Sequence, residues 1–340
     1  MFVNGNSSGG VVVRRSLSVA VFSGLLAVST LAGCGGSSEG GDSGKADDGS
    51  ITLGFSQVGA ESGWRTANTK SIQESAAAAG IKLQFSDAQG KQENQITALR
   101  SFITQKVDVI AFSPVVTSGW DAVLKEAKDA GIPVILTDRA VDSQDDSLYE
   151  SFLGSDFKVE GQKAGEWLVK EYEGKTEPVN IVELQGTTGS APAIDRQTGF
   201  GEAIKTNPNL KIVKTQTGDF KRADGKTVME TFLQSTPDID VLYAHNDDMG
   251  LGAIEAIEAA GKKPGTDIKI ITVDAVKDGM TALADGKINF IVECSPLLGP
   301  QLMEIAKKVH AGEKVEKRIL TEETTFTQEQ AKTALPDRKY

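Results

Sequence analysis

The chain has 340 residues, and at roughly 150 residues per domain there is room for about two domains once a leader and a linker are set aside. Asp and Glu number 47 against 36 Lys and Arg, a formal net charge of −11. Loss of Arg14 and Arg15 with the leader makes the mature chain more acidic still, and a nucleic-acid partner, whose phosphates call for a basic face, is excluded. With 39% hydrophobic and 24% charged residues the composition is that of an ordinary soluble globular chain. Two Cys and two His leave no disulfide framework and few candidates for metal or imidazole chemistry.

Arg14 and Arg15 precede an uncharged run, residues 17–32, rich in Val, Leu and Ala and closing with Leu31-Ala32-Gly33-Cys34. At about 16 residues this is short for a membrane span of about 20, and residues 1–33 read as a signal peptide. The ending resembles the lipobox of bacterial lipoproteins, which implies lipidation of Cys34 as the first mature residue. The alternative is an ordinary secretory signal in which the Cys is incidental. Arg14-Arg15-Ser16-Leu17 is also similar to a twin-arginine export signal, although paired Arg occur in plain signals. Ten of the sixteen residues from 35 to 50 are Gly or Ser, so residues 34–50 have nothing to bury and read as a flexible tether. A random coil of that length reaches about 20–24 Å, and the expected location is the outer face of a bacterial cytoplasmic membrane.

From residue 51 onward strands alternate with helices. Strands are predicted over 51–56, 82–86, 107–112 and 133–137, with helices over 63–79, 92–105 and 119–130. In the last of these Trp120, Val123, Leu124 and Ala127 share one face. Gly80, Gly131 and Gly261 each follow an Ala-rich helix end, where a left-handed cap favours Gly. A second series follows, with strands over 180–184, 211–216, 241–244, 269–273 and 288–292. The alternation predicts the α/β class, with parallel sheets covered by helices on both faces. The two series echo each other: residues 107–113 match 239–246 in pattern, and each of residues 132–138 and 268–274 is an apolar strand ending in Asp.

Ligands of open α/β sheets sit beyond the carboxyl ends of the strands. At or near those ends stand Glu61, Trp64, Arg65, Asp87, Ser113, Asp138, Arg139, Arg196, Phe220, Asn246 and Asp274. Carboxylates accept from vicinal hydroxyls, Arg and Asn donate to hydroxyl and ring oxygens, and aromatic faces cover C–H patches, so the set suits a sugar. Taken singly each residue has a plainer use: Asp after a strand commonly makes a turn or a helix cap, and a lone Trp is commonly core.

Several motifs carry a resemblance that runs through most of residues 51–335. They are Gly54-Phe55-Ser56-Gln57-Val58-Gly59, Glu61-Ser62-Gly63-Trp64-Arg65, Lys91-Gln92-Glu93-Asn94-Gln95, Asp138-Arg139, Glu183-Leu184-Gln185-Gly186, Ala193-Ile194-Asp195-Arg196, Gly218-Asp219-Phe220 and the stretch from Tyr243 to Met249. The chain resembles the periplasmic sugar-binding proteins of ribose/galactose-type ABC importers, and Glu61 to Arg65 looks specific to their galactofuranose-binding branch. The resemblance implies two doubly wound lobes joined by three hinge crossings, near 155–156, 293–296 and 321–323. Residues 51–155 and 295–321 then form one lobe, with helix 299–310 in it, and residues 156–294 and 322–340 form the other. It implies further that Asp138 and Arg139 grip hydroxyls from the first lobe, with Trp64 stacking and Glu61 and Arg65 beside it. Arg196, Phe220, Asn246 and Asp274 answer from the second, and Glu293 is a peripheral contact. Cys294 reads as a buried thiol, His245 as a support for Asn246 and His310 as a helix-end surface residue. The ribose-binding pattern carries paired Phe near the first strand where this chain has Trp64-Arg65 after a longer loop, which puts ribose in doubt.

No nucleophile elbow, metal-ligand spacing or phosphate loop is present, and Gly250-x-Gly252 continues with Glu255 where a dinucleotide fingerprint needs Gly. No catalytic residue, metal or cofactor is expected. A repressor of this fold would carry a basic head where this chain has a leader and an acidic tether. The expected protein is a monomeric, lipid-anchored, non-catalytic receptor that passes a monosaccharide, galactofuranose in the first place, to an ABC permease. A sensor or signal-molecule receptor of the same fold, or a binder of another pentose or hexose such as ribose or galactopyranose, stays open.

Overall fold

The computed structural model describes residues 50–340. The expected signal peptide, the lipidated Cys34 and the tether up to residue 49 lie outside the described residues. The described chain opens with β1 (Thr52–Gln57), α1 (Gly63–Ala79), β2 (Lys82–Asp87), α2 (Gln92–Gln105), β3 (Val109–Phe112), α3 (Asp121–Asp129), β4 (Val134–Thr137) and β5 (Ser151–Gly154). Every residue of β3, β4 and β5 is buried, as strands require when helices cover both faces. The loop side chain of Ser62 accepts from Arg65 N at 3.1 Å and starts α1. Gly80 ends it in the left-handed region, φ 68°. Gly131 and Gly261 adopt the same conformation, which a Cβ would disfavour. The third helix begins two residues later than the pattern of apolar residues predicts, because Gly119 has φ 87° and breaks the turn before it.

The second series runs α4 (Phe157–Glu171), β6 (Val179–Gln185), α5 (Ala191–Ile204), β7 (Leu210–Thr217), α6 (Arg222–Ser235), β8 (Val241–Ala244), α7 (Asp247–Ala259), β9 (Lys269–Asp274), α8 (Lys277–Ala284) and β10 (Phe290–Glu293). The chain then continues through α9 (Gly299–His310), β11 (Arg318–Leu320), β12 (Thr325–Phe326) and α10 (Gln328–Ala334). One sheet has the order β11-β5-β4-β3-β1-β2 and the other β12-β10-β9-β8-β6-β7. All pairings are parallel except β10 with β12. These are two doubly wound lobes, each with its own apolar core.

Helix α9 packs on the first sheet, where Leu302, Ile305 and Ala306 join Leu53, Phe55 and Ile72. Its first residue has no room for a side chain, since a Cβ on Gly299 would stand 2.2 Å from Ser71 O. The chain therefore crosses between sheets three times, after β5, after β10 and after β11. The crossings are tied at one carboxylate: Ser155 Oγ, Thr321 Oγ1 and Ser295 N all donate to Glu323 Oε1, the last two at 2.8 and 2.9 Å.

Candidate functional site

Parallel topology points the carboxyl ends of both sheets at each other, and the loops leaving β1, β4, β7, β8 and β9 meet there. A pocket of about 290 Å³ of atom-free space lies between the lobes. Its wall includes Glu61, Trp64, Arg65, Asp138 and Arg139 from the first lobe, and Arg196, Phe220, Asn246 and Asp274 from the second.

The first-lobe side is a charged lattice. Arg65 sends Nη2 to Asp138 Oδ2 at 2.7 Å and Nε to Glu61 Oε1 at 3.0 Å, while Nη1 donates to Gln57 Oε1 at 3.1 Å. Arg139 donates from Nη1 to Val115 O at 3.0 Å, and its Nη2 lies 3.8 Å from Glu61 Oε1. Burial works against the Glu61 carboxylate, yet Arg65 and Arg139 together hold it below the usual range. Burial and then the charge of Arg65 bring Arg139 down to about 10. Glu61 Oε2 and Arg139 Nε are buried with no hydrogen-bond partner among the described residues, and such groups are costly unless something else pairs with them.

The second-lobe side is anchored by Arg196, whose Nε meets Glu160 Oε2 at 2.7 Å and whose Nη1 donates to His245 O at 2.6 Å. Burial pushes the Glu160 carboxyl up to about 8. The Asp274 carboxylate is 3.9 Å from Arg196 Nη2, beyond hydrogen-bond reach, and burial raises it well above the ordinary carboxyl value. Asn246 caps α7 by accepting from Met249 N at 3.0 Å and donates to Phe220 O at 3.1 Å. His245 faces away from the pocket, with Nε2 3.1 Å from Glu183 Oε1. Asp138, Phe220 and Asp274 all have positive φ, at 60°, 63° and 123°. Strained backbone of this kind gathers at functional sites.

Aromatic groups close the pocket from both sides. Phe220 lies under the Arg139 guanidinium at 5.3 Å, and a Cβ on Gly186 would meet its ring at 1.8 Å, so only Gly leaves it space. Trp64 crosses between lobes: it packs among Ile271, Val273 and Val292 of the second, and Nε1 donates to Cys294 O at 2.7 Å. Gly63 N donates to Asp248 Oδ2 at 2.7 Å, and Thr117 N to Gly189 O at 2.9 Å. With these contacts made, the two lobes are closed on one another.

Three of the predicted contacts stand elsewhere. Ser113 is behind the pocket wall, where Oγ donates to Asp138 Oδ2 at 2.9 Å. Asp87 is corrected out of this pocket: it ends the edge strand β2, accepts from Gln89 N at 2.7 Å and lines a separate outer cavity. Glu293 is corrected likewise, because Arg338 Nη1 at 2.7 Å, Tyr340 OH at 3.1 Å and Thr324 N at 3.2 Å occupy its carboxylate at a crossing. Ser62 and Pro192 line the pocket without having been singled out, and Cys294, read from the sequence as a buried thiol, is buried and lines it as well. Glu160 was also missed, since in the first turn of α4 it reads as an ordinary acidic residue at a helix start until α4 is packed on α5.

Residues 53–314 match the family described as periplasmic binding protein domain. The chain is a periplasmic binding protein. Periplasmic binding proteins are extracytoplasmic, and proteins similar to this chain include sugar-binding proteins, one of them a component of an ABC transporter. It is 50% identical over 293 residues to the galactofuranose-binding protein YtfQ of Escherichia coli (strain K12), covering 85% of this chain and 92% of that one. A protein of Mycobacterium smegmatis solved in complex with β-D-fucofuranose is 68% identical, with a TM-score of 0.85 over 86% of this chain and 96% of the other. The binding protein of the arabinose ABC transporter of Shewanella sp. ANA-3, bound to α- and β-L-arabinofuranose, is 49% identical with a TM-score of 0.81, over 85% and 96%. Among the described residues no helix of this periplasmic binding protein is long and apolar enough to cross a membrane.

Proposed function

We propose that this periplasmic binding protein takes one monosaccharide in its furanose form, galactofuranose in the first place, into the interlobe pocket and delivers it to an ABC permease. The observation that carries this reading is the pocket wall itself. Each lobe supplies carboxylate, Arg and aromatic groups to it, and two of the buried polar atoms there, Glu61 Oε2 and Arg139 Nε, lack a hydrogen-bond partner among the described residues. A sugar hydroxyl that donates to Glu61 Oε2, and an oxygen that accepts from Arg139 Nε, would satisfy both. The relatives bound to fucofuranose and arabinofuranose support a five-membered ring.

No residue performs a reaction in this reading; the protein works as a monomer by closing. A ligand that contacts both lobes shifts the equilibrium toward the closed form by its differential affinity for that form, and the permease then meets a shape that reports occupancy. Lipid on Cys34 holds the receptor at the outer face of the membrane.

Calorimetric titration with D-galactose, D-fucose, L-arabinose, D-ribose and D-glucose, with NMR of the bound ring form, tests the proposal. Tight binding of galactose or arabinose as a furanose is expected. Arg139→Ala and Asp274→Ala should each weaken it by about 2–4 kcal/mol, because each leaves buried polar groups unmatched, a loss of roughly 30- to 800-fold in Kd. A folded protein that binds none of these sugars would sink the assignment.

A further inference from the structure

The inner pocket is not the whole of the cleft. Immediately outside it lies a second cavity, about 1100 Å³ of atom-free space including its solvent-open mouth, and it too is lined from both lobes. Asp87, Gln89 and Lys91 face Thr187, Asp219 and Lys221 across it, over an apolar floor of Val58 and Val115.

Two loops run from one cavity into the other. In the β1–α1 loop Val58, Gly59 and Ala60 line the outer cavity, Trp64 and Arg65 line the inner pocket, and Glu61 lines both. In the β7–α6 loop Asp219 and Phe220 both have positive φ, 51° and 63°. That conformation turns Phe220 inward while Asp219 and Lys221 line the outer cavity. Glu61 stands at the junction: Oε1 is held by Arg65 on the inner side, and Oε2 has no hydrogen-bond partner among the described residues. A Cβ on Gly59 would stand 3.3 Å from that oxygen, so the glycine leaves space beside it.

We propose that the outer cavity is a second saccharide subsite, so that the protein also accepts furanosides whose ring carries a second sugar or polyol unit. The chemistry of the lining selects that class. Two lysines and the carboxylates of Asp87 and Asp219 share the lining, with Lys221 Nζ 3.5 Å from Asp224 Oδ2 at its edge; such mixed charge favours a neutral ligand, the mixture of donors and acceptors matches hydroxyls, and Val58 and Val115 offer an apolar floor for ring C–H groups. The hydroxyl that donates to Glu61 Oε2 is then one of the inner ring beside the linkage between the two units.

This inference rests on the furanose reading of the inner pocket, and the test separates the two. The full-length protein is titrated with methyl β-D-galactofuranoside, a single locked furanose, and with galactofuranosyl disaccharides linked 1→5 and 1→6. The wild type and the double variant Lys91→Ala/Lys221→Ala, which alters one residue of each lobe outside the inner pocket, are compared. At least one disaccharide is expected to bind tenfold or more tighter than the methyl furanoside. The double variant should lose that margin while holding the methyl furanoside within about twofold. Exclusion of both disaccharides by a protein that binds the methyl furanoside overturns the second subsite and leaves the monosaccharide function standing. So does disaccharide binding without a margin, or a margin that the double variant keeps. Failure of all three probes overturns the furanose reading and this inference with it.

Discussion

At Glu160 burial and charge pull in opposite directions, and burial wins. Its carboxyl rises to about 8 although Arg196 lies 2.7 Å away. The folded protein thus keeps a proton that the unfolded chain releases near the ordinary value of 4.5. Stability from this group is present in full below that ordinary value and is lost as the pH rises through about 8. Glu160→Gln keeps an acceptor for Arg196 and removes the titration. Its thermal midpoint relative to the wild type should therefore climb between about pH 5 and pH 8.5, and a difference that stays flat over that window would show that Glu160 does not titrate there. At this scale the pocket was largely legible: Asp138, Arg139, Arg196, Asn246 and Asp274 follow from strand ends and motif. Asp87 and Glu293 share the same signal, a carboxylate closing a strand, yet one faces an outer cavity and the other is consumed by Arg338 and Tyr340.

Helices α4 and α5 show how an element positions a side chain. A Cβ on Gly199 would lie 2.0 Å from Lys158 O, and one on Gly161 would lie 2.3 Å from Arg196 O. The two helices touch backbone to backbone, which brings Arg196 to Glu160 and to His245 O. Gly199→Ala forces them apart and should cost about 1–3 kcal/mol of stability, as overpacking does, with weaker sugar binding as Arg196 moves. Gly201→Ala is the control: nothing lies within 4 Å of its Cβ, and Ala is the better helix former, so it should be neutral or slightly stabilising. Strand and helix identities were readable because 3.6-residue periodicity, short buried runs and Gly caps are local signals. The start of α3 was not, since the left-handed Gly119 is set by the loop around it, where Gln92 Nε2 donates to the neighbouring Ser118 O at 2.6 Å.

For the molecule as a whole, closure is held by a few contacts in and beside the pocket wall. Gly63 N to Asp248 Oδ2 and Trp64 Nε1 to Cys294 O join the first lobe to the second and to a crossing, respectively. Asp248→Ala removes the first of these without altering the pocket wall. In the absence of sugar its radius of gyration by small-angle scattering should exceed that of the wild type, and saturating sugar should bring the two together. Equal radii without sugar would show that this bond does not bias the lobes. Ligand should also raise the thermal midpoint in proportion to the logarithm of its concentration above Kd, since only the folded closed form binds.

Periodicity, caps and strand-end chemistry are written in neighbouring residues, so the α/β class, the repeated halves and most of the polar groups of the cleft could be read from the chain alone. Which carboxylates remain free for a ligand could not, because that depends on partners far away in sequence, such as Arg338 for Glu293 and Arg139 for Glu61. The gathering of Ser155, Ser295 and Thr321 on Glu323 is of the same kind. It exists only once three crossings, the first well over a hundred residues of chain from the other two, are brought to one place by the packing of two sheets.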